Sequence, residues 1–504
     1  MKHREALLLL AVVCIIATCG LVYELCAGTL ASYLLGDSVK QFSLVIGIYL
    51  FAMGIGAYVS NHIKTQLLDR FIQIEFLVGI IGGISSMSLL FLFNYAEGFE
   101  WMLYVFITLT GILVGIEIPL LMRLLKDNLD FGKLVSRVLT FDYIGALLAS
   151  VIFPLICIPY LGLAKTSLFF GLLNIFTGLL TAFLFRKSIR WYKQHIGLGL
   201  VCGTLLAILF GYSNYLQEFL EGQSFPGKII HAESSPYQRI VVTRNATDVR
   251  LYLNNNLQFS SQDEHRYHEA LVYPAIQGSQ SIKHVLILGG GDGLAAREVL
   301  RNPEVDSVTL VDLDPSMTRL FQHHQLLNNL NQGSLNNPKL RLVHDDAFIW
   351  LRKHKQLFDC ILVDFPDPSN YAIAKLYTNV FYTELAQHLR HKGCAVIQCT
   401  SPFAAKQSFW TIENTIRSTG LNTIPYYNTV PSFGIWGYIL CTKDSLYKTY
   451  RKLPPGLKFY KEEQFVTMRH FSDDMLPKQL PKINKLSDQV LVHLFEEEWD
   501  KYMQ

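Results

Sequence analysis

The sequence predicts a multi-pass α-helical membrane domain followed by an α/β domain on a doubly wound sheet, with a small β-subdomain at the latter's N-terminal edge. Three observations carry that expectation. Apolar residues make up 50% and charged residues 17% of 504, high and low for a soluble chain, and the excess lies almost wholly before residue 213. Between 282 and 443, short apolar runs alternate with stretches of helical spacing. Residues 228–259 read as short strands divided by Asn245-Ala-Thr-Asp248 and closed by Asn254-Asn-Asn256.

Seven apolar stretches are long enough to span a bilayer, which needs about twenty residues each: 6–30, 41–60, 71–93, 101–122, 138–160, 166–185 and 195–212. The first continues too far, and too many follow, for a removable signal peptide. Lys2, Arg4, Lys64, Arg70, Arg123, Lys126, Lys133, Arg137, Arg186, Lys187, Arg190 and Lys193 fall on one side, against Lys40 and Lys165 on the other, which predicts a cytoplasmic N-terminus in the cell (inner) membrane. Seven crossings would carry the second domain outside, six would return it, so its side stays open. Glu24, Glu117 and Asp142 sit within or at the ends of these spans, where acids are costly and face a bundle interior or water. One reading is helix-to-helix hydrogen bonding or pairing with Arg123 and Arg137. The other is an intramembrane cation path or polyamine site.

A polar stretch with Glu218, Glu221 and Pro226 predicts a linker. The expected organisation is a membrane domain over 1–213, a linker over 214–227, a β-subdomain over 228–275, an α/β domain over 276–445 and an extension over 446–504 without a readable motif. A formal charge of +3 and the lack of a basic stripe argue against nucleic acid as a partner. The nine cysteines show no Cys-x-x-Cys pair, which argues against a structural zinc or a disulfide framework; no metal site is expected.

The chemistry centres on His284-Val-Leu-Ile-Leu-Gly-Gly-Gly-Asp-Gly-Leu-Ala-Ala-Arg-Glu298, a buried strand, a glycine turn and a helix start. A second strand ends in Asp312-Leu-Asp314, about twenty residues on, where nucleotide-binding folds set a carboxylate on ribose hydroxyls. Gly291 to Ala296 also fits a loose dinucleotide fingerprint, so the loop alone leaves a nicotinamide or flavin ligand open. Asp292 opposes a pyrophosphate, because an anionic side chain in the loop repels it. Further acids follow successive strands: Asp346, then Asp364 and Asp367. One acid there is ordinarily a helix cap. Four in succession describe an anionic crevice suited to an amine-bearing sulfonium.

Taken together, several segments resemble the spermidine synthase, or polyamine aminopropyltransferase, family: Glu233-Ser-Ser-Pro-Tyr-Gln238, Gln258-Phe-Ser-Ser-Gln-Asp-Glu264, Tyr267-His-Glu269, Gly289-Gly-Gly-Asp-Gly293, Val311-Asp-Leu-Asp-Pro315, Asp345-Asp-Ala-Phe348, Val363-Asp-Phe-Pro-Asp-Pro368 and Leu376-Tyr377 to Phe381-Tyr382. The resemblance covers about 228–443, and the multi-span first half with Val430-Pro-Ser-Phe-Gly434 is similar to the membrane-spanning bacterial branch. It implies a Rossmann-like, methyltransferase-type catalytic domain. The implied reaction moves the aminopropyl group of decarboxylated S-adenosylmethionine to a diamine such as putrescine. This donor is a co-substrate and no cofactor is implied; a homodimer is. Gln238, Asp292, Asp312, Asp346 and Ala347 would bind the donor, Tyr267, His268 and Asp367 the acceptor amine, and Asp364 would be catalytic. Tyr267 and His268 also read as packing residues. Phe365-Pro366 and Phe433 depart from the pattern of soluble members, and Asp312 stands where those usually carry Glu. Two alternatives are an S-adenosylmethionine-dependent methyltransferase and a non-catalytic membrane polyamine transporter or sensor.

Overall fold

The structure, a computed structural model, describes residues 3–35, 38–95, 98–126, 130–445 and 447–503. Lys2 of the basic-residue count and residues 446 and 504 of the extension lie outside the described residues. The chain divides into two compact units, Met1–Pro226 and Gly227–Gln504.

The first unit is helical: α1 (His3–Leu35), α2 (Ser38–Ser60), α3 (Leu67–Tyr95), α4 (Phe99–Leu125), α5 (Phe131–Ile152), α6 (Ile158–Leu184) and α7 (Tyr192–Ser224). Among the described residues, six helical runs are long and apolar enough to cross a membrane. The expected spans 138–160 and 166–185 both fall on one of them, the 53-residue run Gly132–Leu184. At about 1.5 Å per residue that run far exceeds a hydrocarbon core about 30 Å thick. It is interrupted where Pro154 and Pro159 remove backbone donors, in the π-helical turn Phe153–Cys157, and at Gly162, whose φ of 72° and ψ of 176° are not helical. The linker expected over 214–227 is instead the end of α7. Residues 214–221 are helix formers for the most part, and the helix stops only at Phe225, held extended before Pro226.

Small residues let these helices approach backbone to backbone, as membrane helices do in place of a hydrophobic drive. A Cβ on Gly115 of α4 would lie 2.2 Å from the Met53 carbonyl oxygen of α2, and one on Gly171 of α6 would lie 2.5 Å from the Gly79 oxygen of α3.

The second unit begins with an antiparallel sheet of β1 (Lys228–Ser234), β2 (Arg239–Arg244), β3 (Val249–Leu253) and β4 (Asn256–Ser260), in that order. Next come α8 (Glu264–Gly278), β5 (His284–Gly289), α9 (Leu294–Leu300), β6 (Ser307–Asp312), α10 (Pro315–His323), α11 (Gln325–Leu330), β7 (Leu340–His344), α12 (Ala347–Lys353) and β8 (Phe358–Asp364). The chain continues through α13 (Tyr371–Ala374), α14 (Asn379–His388), β9 (Leu389–Cys399), α15 (Lys406–Arg417), β10 (Asn422–Val430), β11 (Gly434–Thr442), α16 (Glu462–Thr467) and α17 (Val490–Met503). The seven-stranded sheet has the order β10-β11-β9-β8-β5-β6-β7. Pairing is parallel from β9 to β7 and antiparallel at β9, β11 and β10. β10 was not anticipated: Pro425 interrupts its apolar pattern and is tolerated at an edge.

The expected boundary at 275 falls inside α8. That helix packs into the large core, where Ala270, Leu271 and Tyr273 meet Val285, Ile287 and Leu362, together with Ile240, Leu251 and Phe259 of the small sheet. The extension is tied down as well. Glu269 of α8 accepts the amides of Lys458, Phe459 and Tyr460 at 2.8, 2.8 and 2.7 Å, and Glu498 of α17 caps α15 through Gln407 N and Ser408 N.

Replacing Gly115 by Leu should overpack α2 against α4 and cost about 1–3 kcal/mol, read as a lower Tm of the detergent-solubilised chain. An unchanged Tm would contradict this packing.

Candidate functional site

The site lies at the carboxyl ends of β5, β6 and β8. From β5 the chain builds β6 and β7 on one side and then crosses to β8 on the other, and open α/β sheets bind ligands at such a reversal. Register sets Gly289 opposite Asp364. Gly289 has φ 82°, and a Cβ there would stand 2.2 Å from the Asp364 carbonyl oxygen, so conformation and space both require glycine. A Cβ on Gly291 would stand 2.7 Å from Asp312 Oδ2, which brings the turn against the end of β6.

Asp364 Oδ1 accepts the Tyr267 hydroxyl at 2.5 Å. Burial pushes the Asp364 carboxyl up to about 6; Asp292 adds to the rise, while His268 and the Tyr267 hydrogen bond oppose it. Such a group is a carboxylate at neutral pH yet basic enough to take a proton. Asp292 is 9% exposed, and its Oδ1 accepts the Leu294 amide at 2.9 Å. Burial raises its pKa against the opposing charge of His268.

His268 is 2% exposed, with Nδ1 2.9 Å from Glu264 Oε2 and 2.8 Å from the Glu264 carbonyl oxygen. Burial disfavours its charge, but Glu264, Asp292 and Asp364 outweigh burial and raise the pKa to about 9, so the ring is an imidazolium. Glu264 receives Arg297 at 2.9 Å, Arg297 also reaches Glu298 at 2.9 Å, and Glu298 accepts the Tyr273 hydroxyl at 2.8 Å. Burial works against charge on Glu264, yet His268 and Arg297 draw its pKa down to about 2. His268 is thus buried, as a packing residue would be, and also charged beside the acids.

Asp312 Oδ1 accepts the Asp314 amide at 2.8 Å, and burial pushes this carboxyl up to about 6. Asp314 Oδ2 in turn receives the Ser235 hydroxyl at 2.6 Å and Gln238 Nε2 at 2.9 Å, which places Gln238 beside the β6 end. Asp346 caps α12 through Phe348 N at 2.9 Å and Ile349 N at 3.2 Å and pairs with Lys375 Nζ at 2.5 Å; Ala347 behind it is buried. Asp367, past Phe365-Pro366, lies 3.4 Å from Gln398 Nε2, and burial pushes its carboxyl up to about 7. Gln398 Oε1 accepts Trp436 Nε1 at 3.0 Å, and the Tyr377 hydroxyl donates to the Pro366 oxygen at 3.0 Å.

The Tyr267 ring meets Phe433 at 6.2 Å and Tyr438 at 5.7 Å between centroids. Asp263 accepts the Ser432 amide at 2.6 Å and its hydroxyl at 2.9 Å, joining the 258–264 stretch to the 430–434 turn.

Asp292, Asp312, Asp364, Tyr267 and His268 therefore converge, Gln238 joins them through Asp314, and Asp367 lies beyond with Gln398. Sequence reasoning missed Glu264, Arg297, Asp314 and Gln398 as supports; Gln398 carried a signal as an amide in the buried apolar run Cys394–Cys399. In the helical unit, Glu24 and Glu117 both bear electrostatically on Tyr49, whereas Asp142 of α5 bears on Cys14 instead. Glu75, buried on α3, was not anticipated. Arg123 does not pair with Glu117: it donates to the backbone oxygens of Pro119, Ile63 and Ser60 at 2.7–3.2 Å.

Among known families, the spermine/spermidine synthase domain matches residues 264–451. The chain is 45% identical over 496 residues to a polyamine aminopropyltransferase of Leptospira interrogans, covering 97% of this chain and 98% of that one. It is 47% identical over 515 residues to polyamine aminopropyltransferase 2 of Ralstonia nicotianae, covering 99% of each. A solved spermidine synthase in complex with the transition-state analogue AdoDATO is 26% identical, with a TM-score of 0.46 over 49% of this chain and 86% of that chain.

The Tyr267 hydrogen bond favours the ionised form of Asp364, so Tyr267→Phe should raise the Asp364 midpoint from about 6 by roughly one pH unit. Carbon-13 NMR of labelled aspartate reads the shift, and an unmoved or lowered midpoint would contradict the assignment.

Proposed function

The chain belongs to the spermidine synthase family of polyamine aminopropyltransferases and is an aminopropyltransferase; on that premise we propose that its donor is decarboxylated S-adenosylmethionine and its acceptor putrescine, giving spermidine and methylthioadenosine. The observation that carries this reading is the convergence of Asp292, Asp312 and Asp364 at the reversal of strand order. An anionic crevice favours a sulfonium with a terminal ammonium and a protonated diamine, and opposes phosphates.

Asp292 pairs with the ammonium of the donor's aminopropyl arm, and would repel the carboxylate that intact S-adenosylmethionine carries near the same place. Asp312 takes the ribose hydroxyls, Gln238 helps to hold the donor, and Asp346 with Ala347 meets the adenine edge. On the acceptor side Tyr267, His268 and Asp367 line the path. The charge of His268 opposes the rise that burial, together with Asp292, imposes on the Asp364 carboxyl.

The acceptor amine is protonated near neutral pH and attacks only as a free amine. Asp364 orients it and takes its proton as the nitrogen bonds to the aminopropyl carbon. The carbon–sulfur bond breaks, its electron pair goes to the sulfonium, and neutral methylthioadenosine leaves. A sulfonium is already a good leaving group, so the step requires no cofactor, and alignment of the two substrates supplies much of the acceleration. The six long apolar helices support a place across the cell (inner) membrane for the first unit. The assembly implied by the family resemblance is a homodimer.

Asp364→Asn should lower kcat by roughly 10²–10⁴-fold while leaving the donor Kd within a few-fold. Mass spectrometry of the products from purified full-length chain, with decarboxylated S-adenosylmethionine and a panel of amines, measures the rate and identifies the acceptor. Wild-type turnover in the variant would remove Asp364 from this role.

A further inference from the structure

Inside the helical unit, two carboxyls lie deep between helices. Glu75 of α3 is 0% exposed and Glu117 of α4 is 1% exposed. Among the described residues, both Glu75 oxygens and Glu117 Oε1 have no hydrogen-bond partner, and neither does the hydroxyl of Tyr23 on α1, a residue 3% exposed. Their helices are in close contact: a Cβ on Gly82 of α3 would meet the Tyr23 ring at 2.7 Å, and one on Gly20 of α1 would meet Val114, one turn before Glu117, at 2.9 Å. Glu75 and Glu117 both bear electrostatically on Tyr23. A fourth helix completes the enclosure. A Cβ on Gly178 of α6 would lie 3.2 Å from the Glu75 Cβ. One turn away on that face, the amide nitrogen and oxygen of buried Asn174 have no hydrogen-bond partner among the described residues.

Unsatisfied polar groups are costly where no water reaches them, and a carboxyl there carries its charge only where a cation matches it. Arg123, the basic residue nearest in sequence to Glu117, is committed to backbone oxygens. Tyr23 also borders a narrow cavity of about 10 Å³ lined by Tyr49, Phe106, Ser85 and Thr110. Among the described residues, no cluster of three His, Cys, Asp or Glu offers a metal site.

We propose that Glu75, Glu117 and Tyr23 form an intramembrane binding site for an alkylammonium cation, with Asn174 as a further hydrogen-bonding partner and Tyr49 lining the approach. The two carboxyls match a diammonium of the class the second unit acts on; that preference over an alkali cation rests on the proposed function. Glu24 borders the site through Tyr49. Asp142 is not part of it.

Equilibrium binding of radiolabelled 1,4-diaminobutane to the full-length chain in detergent tests the site, with aminopropyl transfer measured on the same preparations. Wild type should bind one equivalent beyond the one held by the catalytic unit. Glu75→Gln and Glu117→Gln should each lose that equivalent and keep transfer, and Tyr23→Phe, which retains the ring, should weaken it at least ten-fold. A single equivalent in wild type overturns the proposal, as does an extra one that survives in both glutamine variants. Loss of the extra equivalent in sodium or potassium chloride, but not in tetramethylammonium chloride, assigns the site to an alkali cation and overturns the ammonium. Failed transfer in wild type would instead count against the proposed function.

Discussion

The second unit depends on how closely β5 approaches β8 at the reversal of strand order. Gly289 faces the backbone of Asp364 with no room for a Cβ, and from there the turn leads to Asp292 and folds against Asp312. Three carboxylates from three strand ends are thereby concentrated in a partly dry crevice. Burial alone would drive such acids towards their neutral forms. The fold offsets this with Tyr267, which donates to Asp364, and with an imidazolium at His268.

That imidazolium is itself built. A histidine 2% exposed would ordinarily be neutral, and it keeps its proton because Glu264 is held ionised by Arg297, which is shared with Glu298. The alternation of sign runs from α8 through α9 towards the substrate crevice. Its members are not surface ion pairs of little consequence, since their burial makes each charge matter to its neighbour. The C-terminal extension reaches α8 by another route, through the three amides that Glu269 receives.

Much of this was legible in the sequence. The apolar runs Val285–Leu288, Val308–Val311, Leu340–Val343, Cys360–Val363, Ala395–Cys399 and Gly437–Cys441 lie within β5–β9 and β11, because a sheet covered on both faces leaves a plain hydrophobic record. The acids at strand ends were legible for the same reason. What escaped were interactions between distant residues: Arg297 on Glu264, Asp314 on Gln238, Asp263 on Ser432. Each looks like an ordinary polar residue until the fold pairs it. Polar composition also misled at 214–227, where it marked the end of hydrophobicity and not of the helix. In the first unit, Glu75 was not singled out, though it lies within the expected span 71–93 and is wholly buried.

The central claim is that the crevice chooses its donor by charge at Asp292. Calorimetry on the full-length chain in detergent, titrating decarboxylated and intact S-adenosylmethionine in turn, tests it most directly. The added carboxylate of the intact donor, on the carbon that bears the ammonium and close to Asp292, should weaken binding by roughly 10- to 100-fold, and Asp292→Asn should narrow the gap. Equal or tighter binding of the intact donor by the wild-type chain would contradict the account.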